Sequence, residues 1–209
     1  MHARGLQSAS ALPERRKPLK RPAQARAKFT VQAIYDAFVR LWQRDGWSRV
    51  TTRAVALETG ISVGTLYEYF PNKHALLAGY VRHAIESLLI ALNQRPMTVE
   101  RAVRLLCDPR AEGLPGFDAE MIDMEHEIVV RKDHRRVYDV MLAAWRNALA
   151  SAGCRADDAR IETLFVAAWG GRRYLLRAQP VFAAERWIAQ MQAICATALT
   201  EPPPPALPS

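Results

Sequence analysis

The sequence predicts an all-α fold, in which three N-terminal helices that include a helix-turn-helix are followed by a larger helical domain. From Thr30 onward, apolar side chains recur at spacings of three and four residues, the period of a helix with one buried face. No segment alternates apolar and polar residues as half-buried strands do. Between residues 51 and 77, two short apolar patterns are separated by a turn that contains glycine, which predicts two short helices packed at an angle.

The chain begins with a basic segment, residues 1–28, which contains three prolines and lacks an apolar period. This composition predicts a disordered arm in the free protein. A first amphipathic helix then begins near Thr30, and Gly46 ends it. The first folded domain is therefore predicted at residues 29–80.

Capping signals predict the helix-turn-helix. Thr51 or Thr52 can cap the first of its helices, and Gly60 supplies the left-handed backbone that ends this helix. Ser62 can cap the second helix, at about residues 63–69. Helices in this arrangement read DNA, because the second one lies in the major groove with its N-terminal residues against the base edges.

An ordered set of positions runs through this segment: Ile34, Ala37, Phe38, Gly46, Thr51, Ala56, Gly60, Ser62, Gly64, Thr65, Leu66, Tyr67, Tyr69, Phe70, Pro71, Lys73 and Leu76. On these positions, over about residues 30–80, the chain resembles the tetracycline repressor (TetR or AcrR) family of bacterial transcription regulators. The resemblance implies a homodimer in which a helix-turn-helix DNA-binding domain precedes a C-terminal helical ligand-binding and dimerisation domain. Val50 departs from the pattern, because many members carry threonine there.

Four residues of the second helix are candidate base contacts. Gly64 and Thr65 lie at its start, where a bare backbone and a hydroxyl can approach bases, and Val63 can touch a thymine methyl group. Glu68 either accepts a hydrogen bond from the amino group of cytosine or faces solvent or protein.

The resemblance implies that further residues hold the DNA backbone: Thr51, Arg53, Tyr67, Tyr69 and Lys73. Such contacts fix the register on the duplex without reading its sequence. The charge distribution agrees, because residues 1–95 hold 15 Lys and Arg against 6 Asp and Glu, whereas residues 96–200 hold 14 of each. The basic arm is either a solubilising tail or an extension that follows the DNA backbone or enters an adjacent minor groove.

Residues 81–200 are predicted to form the second domain, and residues 201–209 an unstructured tail rich in proline. A long helix over about residues 72–93 joins the two domains. Five further helices are predicted at about residues 98–107, 118–131, 134–151, 157–178 and 183–199.

The last two predicted helices carry broad apolar faces, and the resemblance implies that they pair with their copies in a four-helix dimer interface. The candidate interface residues are Ile161, Phe165, Ala168, Leu175, Trp187, Met191, Ile194 and Ala198. Gly170 and Gly171 would permit a close approach of backbones there. The alternative is that both faces belong to an ordinary core within one chain.

A cavity for a small-molecule effector is predicted in the second domain. Its candidate lining residues are Met121, Met124, Glu125, Tyr138, Met141, Trp145, Phe165 and Trp169. An aromatic, methionine-rich lining with one acidic group suits an apolar or cationic molecule. The alternative is that the apolar residues fill the core and that Glu125 is solvated.

Several other classes of function are not indicated. Because the sequence has no nucleophile elbow, glycine-rich phosphate loop or H-E-x-x-H motif, we expect neither an enzyme nor a cofactor. Three widely spaced cysteines without a C-x-x-C motif predict reduced thiols and no metal site. The sequence shows no run of about 18 apolar residues and no signal peptide, so we expect a cytoplasmic protein without a membrane partner.

The sequence therefore predicts a ligand-responsive transcriptional regulator, specifically a repressor that binds a palindromic double-stranded DNA operator as a homodimer. Two alternatives stay open. One is a nonspecific or architectural DNA-binding protein, and the other is a helical enzyme with an appended DNA-binding head.

Overall fold

The computed structural model describes residues 20–117, 120–121, 131–177 and 184–200. These residues form eight α-helices and no strand, which confirms the predicted all-α class. The helices are α1 (Lys20–Asp45), α2 (Thr52–Thr59), α3 (Val63–Tyr69), α4 (Lys73–Leu92), α5 (Val99–Cys107), α6 (Arg131–Ser151), α7 (Asp158–Arg177) and α8 (Ala184–Thr200). A short 3₁₀ turn, Trp47–Arg49, connects α1 to α2. The arm up to residue 19, the tail 201–209 and most of the predicted helix 118–131 lie outside the described residues.

Helix α1 begins earlier than the sequence indicated. Residues 20–28, which we assigned to a disordered arm, are helical. Pro22 falls in the first turn, where its missing N–H would have no partner within the helix and its fixed φ suits the helical backbone. Ala23, Ala25 and Ala27 then favour continuation of the helix. Proline content therefore misled the prediction, because the position of the proline in the helix decides its effect.

The helix-turn-helix consists of α2 and α3, and its caps are the predicted ones. The Thr51 hydroxyl accepts from the N–H of Ala54 at 3.0 Å, and the Ser62 hydroxyl accepts from the N–H of Thr65 at 3.0 Å. Gly60 ends α2 with a left-handed backbone, φ 78°, which a residue with a side chain adopts only with strain.

Helices α1 to α4 enclose the first of two apolar cores, here called the head core. Its buried members are Ile34, Tyr35, Ala37, Phe38, Leu41, Trp42, Val50, Val55, Ala56, Leu66, Phe70, Leu76, Leu77, Tyr80, Val81 and Met121. Val50, the residue that departs from the family pattern, is fully buried in it. An apolar side chain at that position therefore contributes to packing, and a threonine there would bury a hydroxyl.

Helix α4 takes part in both cores. Tyr80 and Val81 pack in the head core, whereas Leu88 and Leu92 pack in the second core. Among the described residues, α4 is the one helix that is long and apolar enough to cross a membrane by length and composition, with a mean hydropathy of 1.4. Its burial against two cores accounts for that composition, because a helix with partners on several sides needs apolar residues on several sides.

The second core lies between α5, α6, α7, α8 and the C-terminal half of α4. Trp145 and Phe165 are fully buried there, and the indole N–H of Trp145 donates to the carbonyl oxygen of Ile161 at 3.2 Å. Burial raises the pKa of Cys107 to about 12 and that of Cys195 to about 11, so both are neutral thiols at neutral pH. Within the described ranges, no group of three or more His, Cys, Asp or Glu residues is placed to hold a metal ion.

Candidate functional site

The outward face of α3 carries the residues predicted to contact bases. Val63, Gly64 and Glu68 are exposed and Thr65 is partly exposed, while Leu66 on the opposite side is fully buried. The Thr65 hydroxyl lies 2.9 Å from the Ser62 hydroxyl, so it also takes part in the cap of α3. The first turn of α3 therefore presents short side chains on an anchored helix, a surface that can approach the floor of a groove.

Tyr67, a predicted phosphate contact, is held in place from α2. Its phenol oxygen lies 3.2 Å from the Thr52 hydroxyl, and 51% of the residue is exposed. Thr51 and Arg53 on the neighbouring turn are exposed as well. The sequence did not reveal that Thr52 orients Tyr67, because the packing of α2 on α3 creates that contact.

Lys73 is engaged within the protein. Its ammonium donates to the carbonyl oxygen of Trp47 at 3.2 Å and lies 4.2 Å from the centre of the Trp47 ring. The same indole packs against Trp42 and His74. Lys73 therefore joins the start of α4 to the turn between α1 and α2, which differs from the phosphate contact that the resemblance implies. Tyr69, the remaining predicted phosphate contact, is partly exposed.

A cavity of about 320 Å³ lies between α4, α6, α7 and the segment that follows α5. Its lining residues are Val81, Ala84, Ile85, Leu88, Phe117, Val137, Tyr138, Trp169, Arg172, Arg173 and Leu176. The volume is at the lower end of the range for small-molecule sites, about 300–1,000 Å³. The cavity is therefore sized for a small, mainly apolar ligand.

Two predicted ligand-binding residues, Tyr138 and Trp169, line this cavity. Four others are buried in the two cores with exposed fractions of 1% or less: Met121, Met141, Trp145 and Phe165. Met121 belongs to the head core, and Phe165 packs behind Tyr138 and Trp169. For these four the structure supports the core-filling alternative, because their surfaces are already enclosed by protein. Met124 and Glu125 lie outside the described residues.

Two arginines in the cavity wall were not predicted. Arg172 donates through Nη1 to the carbonyl oxygens of Leu105 at 3.3 Å and Asp108 at 2.9 Å, and its guanidinium carbon lies 6.0 Å from the Trp169 ring centre. Burial lowers the pKa of Arg172 to about 10, against an opposite effect of Asp108, so the group is still protonated at neutral pH. Arg172 and Arg173 follow Trp169 by three and four positions. That spacing on a helix placed them beside a candidate ligand contact.

The predicted dimer-interface residues divide by exposure. Four of them expose 8% or less: Ile161, Phe165, Ala168 and Met191. The single chain already encloses these side chains, so little of their surface is left to bury against a copy, and the structure supports the intrachain alternative for them. Leu175, Trp187 and Ala198 are partly buried against the same core, and Ile194 is 52% exposed.

The glycine pair of α7 also serves the single chain. A Cβ at Gly171 would overlap the indole of Trp187 from α8, whereas Gly170 faces open space. The close approach that Gly171 permits is therefore between helices of the same chain. The large apolar side chains left exposed on α7 and α8 are Val166, Tyr174 and Ile194.

Known proteins with a similar N-terminal sequence are bacterial regulators. Residues 34–80 match the family described as bacterial regulatory proteins, tetR family. The HTH-type transcriptional repressor KstR of Rhodococcus jostii (strain RHA1) is 40% identical over 55 residues, which are 26% of this chain and 26% of that protein. The chain thus matches about a quarter of the length of this relative.

Solved structures extend the likeness to most of the chain. A transcriptional regulator from Rhodococcus sp. Rha1 has a TM-score of 0.58 at 14% identity, covering 83% of this chain and 99% of that one. The SmeT–triclosan complex has a TM-score of 0.55 at 16% identity, covering 87% and 100%. At such identities the likeness concerns the fold, whereas the match at residues 34–80 concerns the sequence itself. Through its N-terminal domain, the chain therefore belongs to the tetR family of bacterial regulatory proteins.

Proposed function

We propose that the protein is a ligand-responsive transcriptional repressor that binds a palindromic operator as a homodimer. The position of α4 carries the proposal. Leu76 and Leu77 pack in the head core, and Ala84 and Ile85 of the same helix line the cavity. A molecule in the cavity therefore touches the helix on which the DNA-binding head is built.

The head offers both kinds of DNA contact. The exposed start of α3 suits base edges, while the oriented Tyr67 hydroxyl and the exposed Arg53 suit phosphates. Helix-turn-helix dimers present their two recognition helices about 34–36 Å apart, one turn of DNA. The repressor KstR, which matches in this segment, supports the direction of regulation.

The segment after α5 connects the cavity to the head. Phe117 lines the cavity and stacks on Tyr80, with ring centres 6.1 Å apart, and the Tyr80 hydroxyl donates to the carbonyl oxygen of Gly116. Further along, the Trp42 indole N–H donates to Glu120 at 2.8 Å. A ligand that prefers another arrangement of this segment shifts the dimer away from its DNA-binding spacing. Coupling of this kind is typically about 1–3 kcal/mol. SmeT, solved with triclosan, shows that this fold accommodates a small molecule.

The purified full-length chain and DNA test the proposal. Selection from a random double-stranded library, followed by footprinting, should recover a palindrome, and sedimentation should show two chains on each site. Compounds that raise the thermal midpoint of the protein should then displace a labelled operator. Equal binding to all sequences at fixed salt would contradict the proposal and favour the architectural alternative.

A further inference from the structure

The cavity wall carries positive charge where the sequence led us to expect an acidic group. Arg172 and Arg173 are both lining residues, and the described lining contains no Asp or Glu. The rest of the lining is apolar or aromatic except for the Tyr138 hydroxyl. A cationic ligand would therefore meet like charge, which disfavours binding in a site shielded from water.

Arg172 lacks a close counter-charge within the described part of the chain. The acceptors of its hydrogen bonds are the main-chain carbonyls of Leu105 and Asp108. The Asp108 carboxylate is 3.6 Å from Arg104, with which it forms an ion pair. Removing a guanidinium from water is unfavourable unless charged or polar partners replace the water, and two carbonyls replace only part of it.

Arg172 also has a structural role, because it caps the C-terminal carbonyls of α5. That role uses Nη1 alone. Nε and Nη2 form the planar pair of donors whose spacing matches the two oxygens of a carboxylate. The cap therefore fixes the guanidinium and leaves its carboxylate-binding edge for another partner.

We propose that the cavity binds an apolar molecule that ends in a carboxylate, with Arg172 holding the carboxylate and the apolar part lying against Ala84, Leu88 and Trp169. The carboxylate supplies the missing counter-charge through charge-assisted hydrogen bonds, and the remaining wall accepts the apolar part. The inference rests on the proposed function in one respect, namely that the bound molecule is the effector.

Three probes with the same tail and different head groups test it: decanoate, decanol and decylamine, each below its micelle concentration. Binding to the full-length protein is measured by isothermal titration calorimetry. Decanoate should bind about tenfold more tightly than decanol or better, since a hydrogen bond to a charged group contributes about 1.5–3 kcal/mol. Decylamine should bind most weakly.

Arg172→Met should lower the affinity for decanoate to that for decanol and leave decanol unchanged. Arg160→Met is the matched control, because Arg160 also lies on α7 and donates to a helix-end carbonyl, Ala198 O, at 2.9 Å, but does not line the cavity. It should leave the preference for decanoate intact. If Arg172→Met does not fold, Ala84→Phe provides the test, because it fills the space for the tail and should abolish binding of both decanoate and decanol.

The inference is overturned if none of the probes binds, if decanoate and decanol bind equally, or if the preference survives in Arg172→Met. A preference for decylamine that disappears in Glu125→Gln would also overturn it and would support an acidic site. Displacement of labelled operator separates it from the proposed function. Decanoate that binds through Arg172 without releasing DNA contradicts only the latter, and a different compound that releases DNA while decanoate fails to bind contradicts only the former.

Discussion

At the scale of single residues, the head separates side chains that face outward from side chains that hold it together. Arg53 is exposed at the start of α2, whereas Lys73 is bound to the carbonyl and the ring of Trp47. A cation–π contact near the surface contributes about 0.5–1 kcal/mol, and a net hydrogen bond about 0.5–1.5 kcal/mol. Lys73 therefore stabilises the junction of α1, α2 and α4 by an amount that unfolding experiments can detect.

Lys73→Met should lower the thermal midpoint by about 2–4 °C for each kcal/mol lost. It should also weaken operator binding without changing the slope of log affinity against log salt, because the lost charge does not neutralise a phosphate. Arg53→Ala is the comparison, and it should keep the midpoint and reduce the slope by about 0.9. Thermal scans and fluorescence anisotropy at several salt concentrations measure both quantities. An unchanged midpoint with a reduced slope for Lys73→Met would place that ammonium at a phosphate.

At the scale of elements, α4 must approach the aromatic residues of the head closely, and Gly79 permits this. A Cβ at that position would lie 2.7 Å from Cε1 of Phe70 and 2.9 Å from the hydroxyl of Tyr35. Both rings are buried, and they pack on each other with centres 5.7 Å apart. Neither ring can move away without disturbing the other, so the contact restricts this position to glycine.

Gly79→Ala should destabilise the protein, although alanine is the better helix former by about 1 kcal/mol. Overpacking of a buried site typically costs about 1–3 kcal/mol, and here two rings must shift together. Gly64→Ala is the control for thermal stability, because its nearest listed neighbour is Ser62 Oγ at 3.7 Å and the alanine should raise the midpoint. Scans at equal protein concentration compare the two variants. An equal rise in both would mean that the rings relax freely and that Gly79 is not required.

At the scale of the whole molecule, local features were predictable and packing-dependent ones were not. The caps at Thr51 and Ser62 depend on residues three positions away, so the sequence contains the complete interaction. The dimer and ligand residues depend on which side of a broadly apolar helix faces the core. Ile194 is 52% exposed and its neighbour Cys195 is fully buried, although both are apolar. A spacing pattern alone does not assign such residues to a core, a cavity or a partner.

Dimerisation through α7 and α8 gives the last prediction, because exposed apolar side chains on both helices can be covered by a second copy. Ile194→Glu should convert a micromolar dimer to a monomer in sedimentation experiments, since a charge would be buried against its own copy. Operator affinity should fall with it, because one head alone binds a half-site weakly. Ile90→Glu is the matched control on α4, where the isoleucine is 64% exposed, and it should leave the dimer intact. A dimer that survives Ile194→Glu and still protects a full palindrome would show that the two copies meet elsewhere.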